Sequence, residues 1–409
     1  MLSCGLYNMK YYLALFCALG TFITAAQKVT VSGKVVDKET REPLPFASVG
    51  ILGKSIGTVT NLQGEFDFHL NSVFKDNIFA INMLGYKTFE APVWSLLTDS
   101  LIIQLEKSTV VLDEVVVSDS LKGGDILHIA LSRIDENYPK RPFIIEGFYR
   151  DLKKVANTYV SLLEAAVSIY DEDYNEPRNK FKLRERVALK EVRRSIGYSS
   201  KFTSFFDQGN LLEDLLLHNS IRYRHFPEED EFLKQLTREK DTDFNNKPVY
   251  VVTHKLDQVK LLIDKKTFAI LHLEDENTSD LFVGKKRGLV SKLVKVKRVI
   301  DFKVFEGVLY LNYLSVNSQI NWFDGETNEL KFETELNQIL LINSVEPNTS
   351  KKIGLGQKMK NYGLQYQDQA YNKAFWDNYN VLKESQLDKK IISDLEREQS
   401  LEHQFGDNH

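Results

Sequence analysis

Cysteine is almost absent: the 409 residues contain only Cys4 and Cys17, too few for a disulfide scaffold and without metal-binding spacing. The motifs H-E-x-x-H and G-x-S-x-G are missing, which removes the zincin helix and the α/β-hydrolase elbow from consideration. No sign of charge dominates. The 53 basic residues face 57 acidic ones, a net charge of −4, so no global basic field recruits nucleic acid. Apolar runs fall short of the ~20 residues that a membrane helix needs. The remainder is an ordinary globular composition, 43% hydrophobic, 27% charged and 11% aromatic, which excludes disordered, collagenous and coiled-coil chains. At about 150 residues per domain the length allows two or three domains.

The first segment sets the expected compartment. Lys10 precedes an apolar run from Tyr11 to Ile23, and Thr24-Ala25-Ala26 supplies small residues at a cleavage point. That is the layout of a secretory signal peptide over 1–26; retention as an anchor is the rival, and the short run speaks against it. Lipidation is not expected, because Phe16 precedes Cys17 and no apolar run precedes Cys4. Cleavage after Ala26 would remove both cysteines, and with them thiol nucleophiles, iron–sulfur clusters and cysteine zinc sites. The protein is expected to be exported, in the periplasm or associated with the outer membrane.

Residues 28–107 read as short strands between turns. Val29–Asp37 and Phe46–Ile51 alternate apolar and polar residues, Phe66 and Phe68 alternate with Glu65, Asp67 and His69, and Asn61-Leu62-Gln63-Gly64 is a turn with glycine at a positive-φ position. About seven such strands predict a small β-sandwich. The series G-K-V-V-D (33–37), P-L-P-F-A-S-V (43–49), G-T-V-T-N-L-Q-G-E-F (57–66) and L-G-Y-K (84–87) resembles the carboxypeptidase-regulatory-like domain. The resemblance implies a seven-stranded transthyretin-like sandwich without catalytic residues. The same module precedes the plug of many TonB-dependent outer-membrane receptors, often followed by a segment like Leu112–Val117 here. A receptor barrel of about 22 strands needs more chain than the roughly 290 residues that follow.

After a linker at 108–124, residues 125–382 read as an α+β domain. Leu127, Leu131, Ile134 and Tyr138 form one helical stripe ended by Pro139, and Phe205–Leu217 is also predicted as helix. Strands are predicted at Phe143–Leu152, Thr158–Tyr170, Phe181–Val192, Pro248–His254, Val259–Asp264, Phe268–Glu274, Lys292–Phe305, Val308–Trp322 and Leu330–Ser344. The fold class is therefore mainly β with some α, a sandwich followed by a large antiparallel sheet, for which a curved form is one reading, with a few helices against it. Segment 249–274 resembles the hairpins of periplasmic lipoprotein-carrier and sorting proteins, which implies a curved sheet cupping acyl chains. The aromatic stretch 371–380 resembles the tail of secreted proteins that join the regulatory-like module to an uncharacterised β-rich domain. Residues 383–409 read as an exposed C-terminal helix and tail, with Ser385-x-x-Asp388 as its capping box and Leu387, Ile391 and Leu395 on one face.

Candidate chemistry is sparse. His225-Phe226-Pro227-Glu228 has the first spacing of a metallocarboxypeptidase zinc site, but the proline and the acidic run after it predict a loop. Asp171-x-Asp173-x-Asn175 and Asp241-x-Asp243-x-Asn245 open like calcium loops and then lack the glycine and glutamate such loops need, so they read as polar turns. Gly354-Leu355-Gly356-Gln357-Lys358 lacks the setting of a phosphate loop. A basic run holds Lys285, Lys286, Arg287, Lys292, Lys295, Lys297, Arg298 and Lys303. Its two readings are an anionic-lipid or polysaccharide contact and a solvated strand face paired with Glu274, Asp275, Glu276 and Asp280. The second is favoured. Trp322 and Trp376 are the least periodic aromatics and are expected to be exposed.

These readings combine into a non-catalytic envelope protein for binding or assembly. No catalytic residue, cofactor or metal is expected, and no nucleic acid. The candidate interaction surface is Lys285, Lys286, Arg287, Lys295, Lys297, Trp322 and Trp376, with loops 37–45 and 54–64 offered to an envelope protein partner. Lipid or glycan is the other ligand class. The alternatives are an acyl-chain or lipoprotein carrier and an enzyme acting on peptides or glycans.

Overall fold

The computed structural model describes residues 28–98, 101–108, 121–195, 204–206, 209–227, 230–244, 247–254, 258–359, 363–367, 369–383 and 386–407. The expected signal peptide, most of the linker, Ser385 and Glu228 lie outside them. Among the described residues no helix is long and apolar enough to cross a membrane.

The first module has seven strands: β1 (Lys28–Asp37), β2 (Ser48–Ile51), β3 (Gly57–Val59), β4 (Glu65–Asn71), β5 (Ile78–Asn82), β6 (Phe89–Pro92) and β7 (Leu101–Leu105). They form two sheets, ordered β4-β1-β7 and β3-β2-β5-β6, so the expected seven-stranded sandwich is present. Alternation sets the core: Phe66, Phe68 and Leu70 of β4 face Val31, Val35, Val49, Phe79 and Ile81, all buried. The motif residues that carry the sequence resemblance are structural. Thr60 Oγ1 donates to the Leu44 carbonyl at 2.7 Å and accepts the Ala47 amide at 2.8 Å. Asn61 Oδ1 accepts the amides of Gln63 and Glu65 at 2.9 and 2.8 Å, and Gly64 closes that turn with φ +72°.

The second module is one open antiparallel sheet. Its strands are β8 (Phe143–Val155), β9 (Thr158–Asp171), β10 (Arg186–Arg194), β11 (Thr237–Arg238), β12 (Thr242–Phe244), β13 (Lys247–His254), β14 (Val259–Asp264), β15 (Ile270–Lys286), β16 (Leu289–Phe305), β17 (Val308–Asp324) and β18 (Leu330–Glu346). The order is β10-β9-β8-β18-β17-β16-β15-β14-β13-β11, with β12 also on β13. Turn chemistry fixes most of it. Ala156-Asn157, Arg287-Gly288 and Glu306-Gly307 are two-residue loops with both φ values positive, which match the twist of the strands they join. Asp264 Oδ1 accepts the amides of Lys266 and Thr267 at 2.8 and 2.9 Å, and Asp324 does the same for Glu326 and Thr327 at 3.0 Å each. Asp37 repeats the device in the sandwich with Glu39 and Thr40, so one D-x-x-T turn is used three times.

Helices cover one face of this sheet: α1 (Gly123–Ser132), α2 (Ile134–Asn137), α3 (Leu211–Leu217), α4 (Ser220–Tyr223) and α5 (Asp230–Gln235). Ile126, Leu127, Ile134, Leu212, Leu215 and Ile221 pack there on Tyr149, Leu163, Ile300, Leu314 and Leu340. The opposite face receives the sandwich and the C-terminal helices α6 (Lys373–Trp376), α7 (Gln386–Leu395) and α8 (Leu401–Asp407).

Several expectations are corrected. The predicted helix 205–217 starts only at Leu211, where the Asn210 side chain caps the Glu213 amide at 3.4 Å. Strand β15 runs on to Lys286, twelve residues past the predicted end, as the partner of β16. The C-terminal helix is not exposed throughout, because Ile391 packs on Leu152 and Leu162. Trp322 and Trp376 are buried. Trp322 lies between Phe205 and Phe332 and donates Nε1–H to Thr334 Oγ1 at 3.0 Å. Trp376 packs edge-on to Phe148, with the Arg193 guanidinium 4.4 Å from its ring. Trp322 is a strand residue of β17 covered by Phe205, whereas Trp376 sits on chain that crosses back over the sheet. The tryptophan that is exposed, at 57%, is Trp94 in the sandwich.

Candidate ligand site between the sandwich and the sheet

Side chains on β14–β18 and β8 alternate between the two faces, so every second residue points toward the sandwich. Those residues carry charge in rows. Across neighbouring strands, Lys297 pairs with Glu274 at 3.0 Å, Lys295 with Glu276 at 2.6 Å, Lys154 with Glu335 at 3.0 Å and His272 with Asp301 at 2.6 Å. Burial alone would lower the His272 imidazole, but Asp301 and Glu274 outweigh it and hold it up at about 9. Glu274 is correspondingly held down at about 2, first by the His272 imidazolium 3.9 Å away and then by Lys297.

The sandwich stands on this face at two places. At one, Lys303 Nζ on β16 donates to the Ile56 carbonyl at 3.4 Å. The approach depends on Gly50: a Cβ there would meet the Ile56 oxygen at 2.8 Å and Lys303 Nζ at 2.9 Å. At the other, segment 371–383 runs between the modules as a strap. Lys28 Nζ donates to the Asn378 carbonyl at 2.8 Å, Lys383 pairs with Asp67 at 2.9 Å, and Asn61 Nδ2 donates to the Lys383 carbonyl at 3.1 Å. On the sheet side, Asn343 Nδ2 donates to the Asn380 carbonyl at 2.8 Å and Tyr379 Oη to the Gly147 carbonyl at 2.9 Å.

Between these supports lies a cavity of about 640 Å³. Phe46, Leu62 and Met83 of the sandwich form one wall; Val299, Tyr313 and Ile339 of the sheet form the other. Loop 54–64, expected to face a partner, is therefore turned inward in part, whereas residues 38–43 are exposed.

The helix-covered face holds a second chamber of about 530 Å³ beneath α3, lined by Phe206, Leu211, Leu217, Ile320 and Leu336, with His218 and His225 beside it. Burial, then Arg298 and His225, bring His218 down to about 4. His225 contacts the Lys180 carbonyl at 2.9 Å and stacks on Phe181. Further along the same module, Arg222 Nε and Nη2 clamp Asp171 at 2.6 and 3.1 Å, and Tyr223 Oη donates to Glu185. Asp171 is thus used in an ion pair, and Asp241 pairs with Arg238 at 2.8 Å. Among the described residues no group of three potential ligands could hold a metal ion.

The basic run is dispersed by this geometry. Lys295 and Lys297 pair as above, Lys292 pairs with Asp280 at 2.9 Å, Arg298 with Asp275 at 3.0 Å on the helix face, and Lys286 donates to the Ser204 carbonyl. Lys285 and Arg287 stay exposed at the β15–β16 tip, beside exposed Leu281, Phe282 and Val283. Trp322 and Trp376 are elsewhere and buried. The apolar triplet was missed in the sequence because β15 was expected to end at Glu274.

The fold and its motif turns define a class: a regulatory-like sandwich docked on an open antiparallel sheet. Comparison with known proteins agrees for the first module, since residues 31–117 match the CarboxypepD_reg-like domain family. The chain is also similar to the TonB-dependent receptor SusC of Bacteroides thetaiotaomicron, 33% identical over 113 residues, or 27% of this chain and 10% of the receptor. The chain thus spans about a tenth of the length of the curated relative it matches. Among solved structures, a domain described as an outer-membrane lipoprotein-sorting protein from Vibrio parahaemolyticus aligns at 11% identity over 55% of this chain and 93% of that one, TM-score 0.21. Lipovitellin aligns at 9% identity over 55% of this chain and 27% of its own, TM-score 0.27. A membrane-associated protein of unknown function from Bacteroides fragilis aligns at 10% identity over 78% of this chain and 98% of that one, TM-score 0.16.

Proposed function

We propose that this chain is a non-catalytic binding or assembly protein of the cell envelope, exported to the periplasm or the outer membrane. The observation that carries the reading is the CarboxypepD_reg-like domain at 31–117, a module without catalytic residues that is shared with a TonB-dependent receptor. The apolar run before Ala26 supports export. The sandwich, held on the sheet, offers residues 38–43 to an envelope protein, and the β15–β16 tip with Lys285 and Arg287 offers a second contact. The test is fractionation of cells expressing the full chain with a C-terminal tag, followed by cross-linking and capture. Recovery in the envelope fraction with a stoichiometric partner, weakened by Lys285→Glu with Arg287→Glu, supports the reading; retention in the cytoplasm overturns it.

A second reading, an acyl-chain carrier, is favoured by the apolar chamber beneath α3. Native mass spectrometry of the purified protein tests it: co-purified lipid that disappears in Leu217→Trp supports the carrier, and a ligand-free spectrum speaks against it.

A further inference from the structure

Among the cations lining the cavity between the sandwich and the sheet, Lys303 stands out. Glu274, Glu335 and Asp301, the acids that face the cavity, are each already paired with a lysine or with His272. Lys303 has no carboxylate partner among the described residues; the Ile56 carbonyl is its contact, and burial alone lowers its ammonium to about 8. Asn312, two residues past its register partner Tyr310 on β17 and only 9% exposed, makes no side-chain hydrogen bond among the described residues. A half-buried cation with one long carbonyl contact and a buried amide without a partner are costly unless something else satisfies them.

The wall opposite is apolar and unusual. Phe46 holds a left-handed backbone with φ +58°, a conformation that bulky residues rarely adopt; it lines the cavity with its ring 5.5 Å from that of Tyr313, and the residue is 36% exposed. Leu62, on the neighbouring turn, is 48% exposed. Strain that displays an aromatic ring in a cavity is a mark of binding sites. The volume of about 640 Å³ is in the range of small-molecule sites.

We propose that this cavity binds an anionic amphiphile, with its apolar body between Phe46, Leu62 and Ile339 and its anionic group on Lys303 and Asn312. The site is on the opposite sheet face from the chamber beneath α3. The inference goes beyond the envelope reading, which cell fractionation judges separately.

Decanoate and decanol are the probes, titrated calorimetrically into the purified full chain. Decanoate is expected to bind saturably at one site per chain. Lys303→Met should weaken decanoate about tenfold or more relative to decanol, because the charge-assisted bond serves decanoate alone whereas the lost contact with the Ile56 carbonyl affects both probes alike. Leu62→Glu, at a turn position that is 48% exposed, should weaken both and keeps the test open if Lys303→Met misfolds. Leu217→Trp, in the other chamber, should change neither. Absence of saturable binding, wild-type decanoate affinity in both Lys303→Met and Leu62→Glu, or loss of binding in Leu217→Trp would overturn the proposal.

Discussion

Asn380 pairs with the backbone of His69 through both ends of its amide: Oδ1 accepts the His69 N–H at 2.7 Å, and Nδ2 donates to the His69 carbonyl at 3.0 Å. The two residues are 311 positions apart. β4 is an edge strand of its three-stranded sheet, so its outward backbone groups need either water or a partner, and one asparagine of the strap satisfies both at His69. Asn380→Ala should therefore cost about 1–2 kcal/mol of stability and speed proteolysis within 369–383. Asn380→Asp, which keeps the acceptor and loses the donor, should fall between. Thermal melts and timed trypsin digestion check the order; equal behaviour of all three proteins would contradict the strap.

Gly50 sets the closeness of the other support. Gly50→Ala places a methyl against the Ile56 carbonyl and Lys303 Nζ, and strands β2 and β3 must shift to admit it. A loss of about 1–3 kcal/mol is expected in denaturant unfolding. An unchanged midpoint would mean that the sandwich does not sit this close to Lys303.

His272 gives a pH dependence with a definite sign. Its folded value, about 9, lies above the ordinary 6.5, so its contribution is complete below pH 6.5 and is lost as pH rises through 9. Melting curves from pH 6 to 9.5 should show wild type losing about 1–3 kcal/mol that His272→Gln lacks throughout. Parallel curves for the two proteins would refute the ion pair with Asp301.

Glu185 makes stability fall with rising pH as well, but through the cost of a buried charge rather than the loss of an ion pair. Burial, then the nearby Asp171 charge, push its carboxyl up from 4.5, so its ionisation in the folded protein costs stability as pH rises above that value. Glu185→Gln is expected to be more stable than wild type at pH 8 and equal to it at pH 4. Arg222→Met, which strands Asp171 in the interior, should cost about 3–5 kcal/mol. A destabilised Glu185→Gln at pH 8 would indicate that the carboxylate is needed in charged form.

The sandwich was legible because its signals are local: alternation in β4 and the Thr60–Asn61–Gly64 turn are readable within a dozen residues, and each makes the hydrogen bonds its spacing implies. The hairpins of β13–β18 were legible for the same reason, whereas the ion pairs run diagonally across the register: Lys297 lies opposite Glu276 but pairs with Glu274, and Lys295 lies opposite Thr278 but pairs with Glu276. Turn chemistry could also have shown the repeated D-x-x-T device at Asp37, Asp264 and Asp324. The cavity was not legible. It exists because β18 closes on β8 and because residues 371–383 cross back over that face, contacts between segments far apart in sequence. Trp376 is the plainest case, since its burial depends on Phe148 and Arg193, which lie more than 180 residues upstream. Phe46 likewise read as the start of a strand, and only the docked sheet shows its ring facing a cavity.

The central claim is that the sandwich is held on the sheet by the C-terminal strap, and the amide of His69 reports on it directly. Hydrogen–deuterium exchange of the intact chain, followed on peptides covering β4, measures whether this outward edge amide is protected. The account predicts slow exchange at His69, comparable with the inward amides of β4, and faster exchange in Asn380→Ala. Exchange at the rate of an open edge strand in the wild-type protein would contradict it.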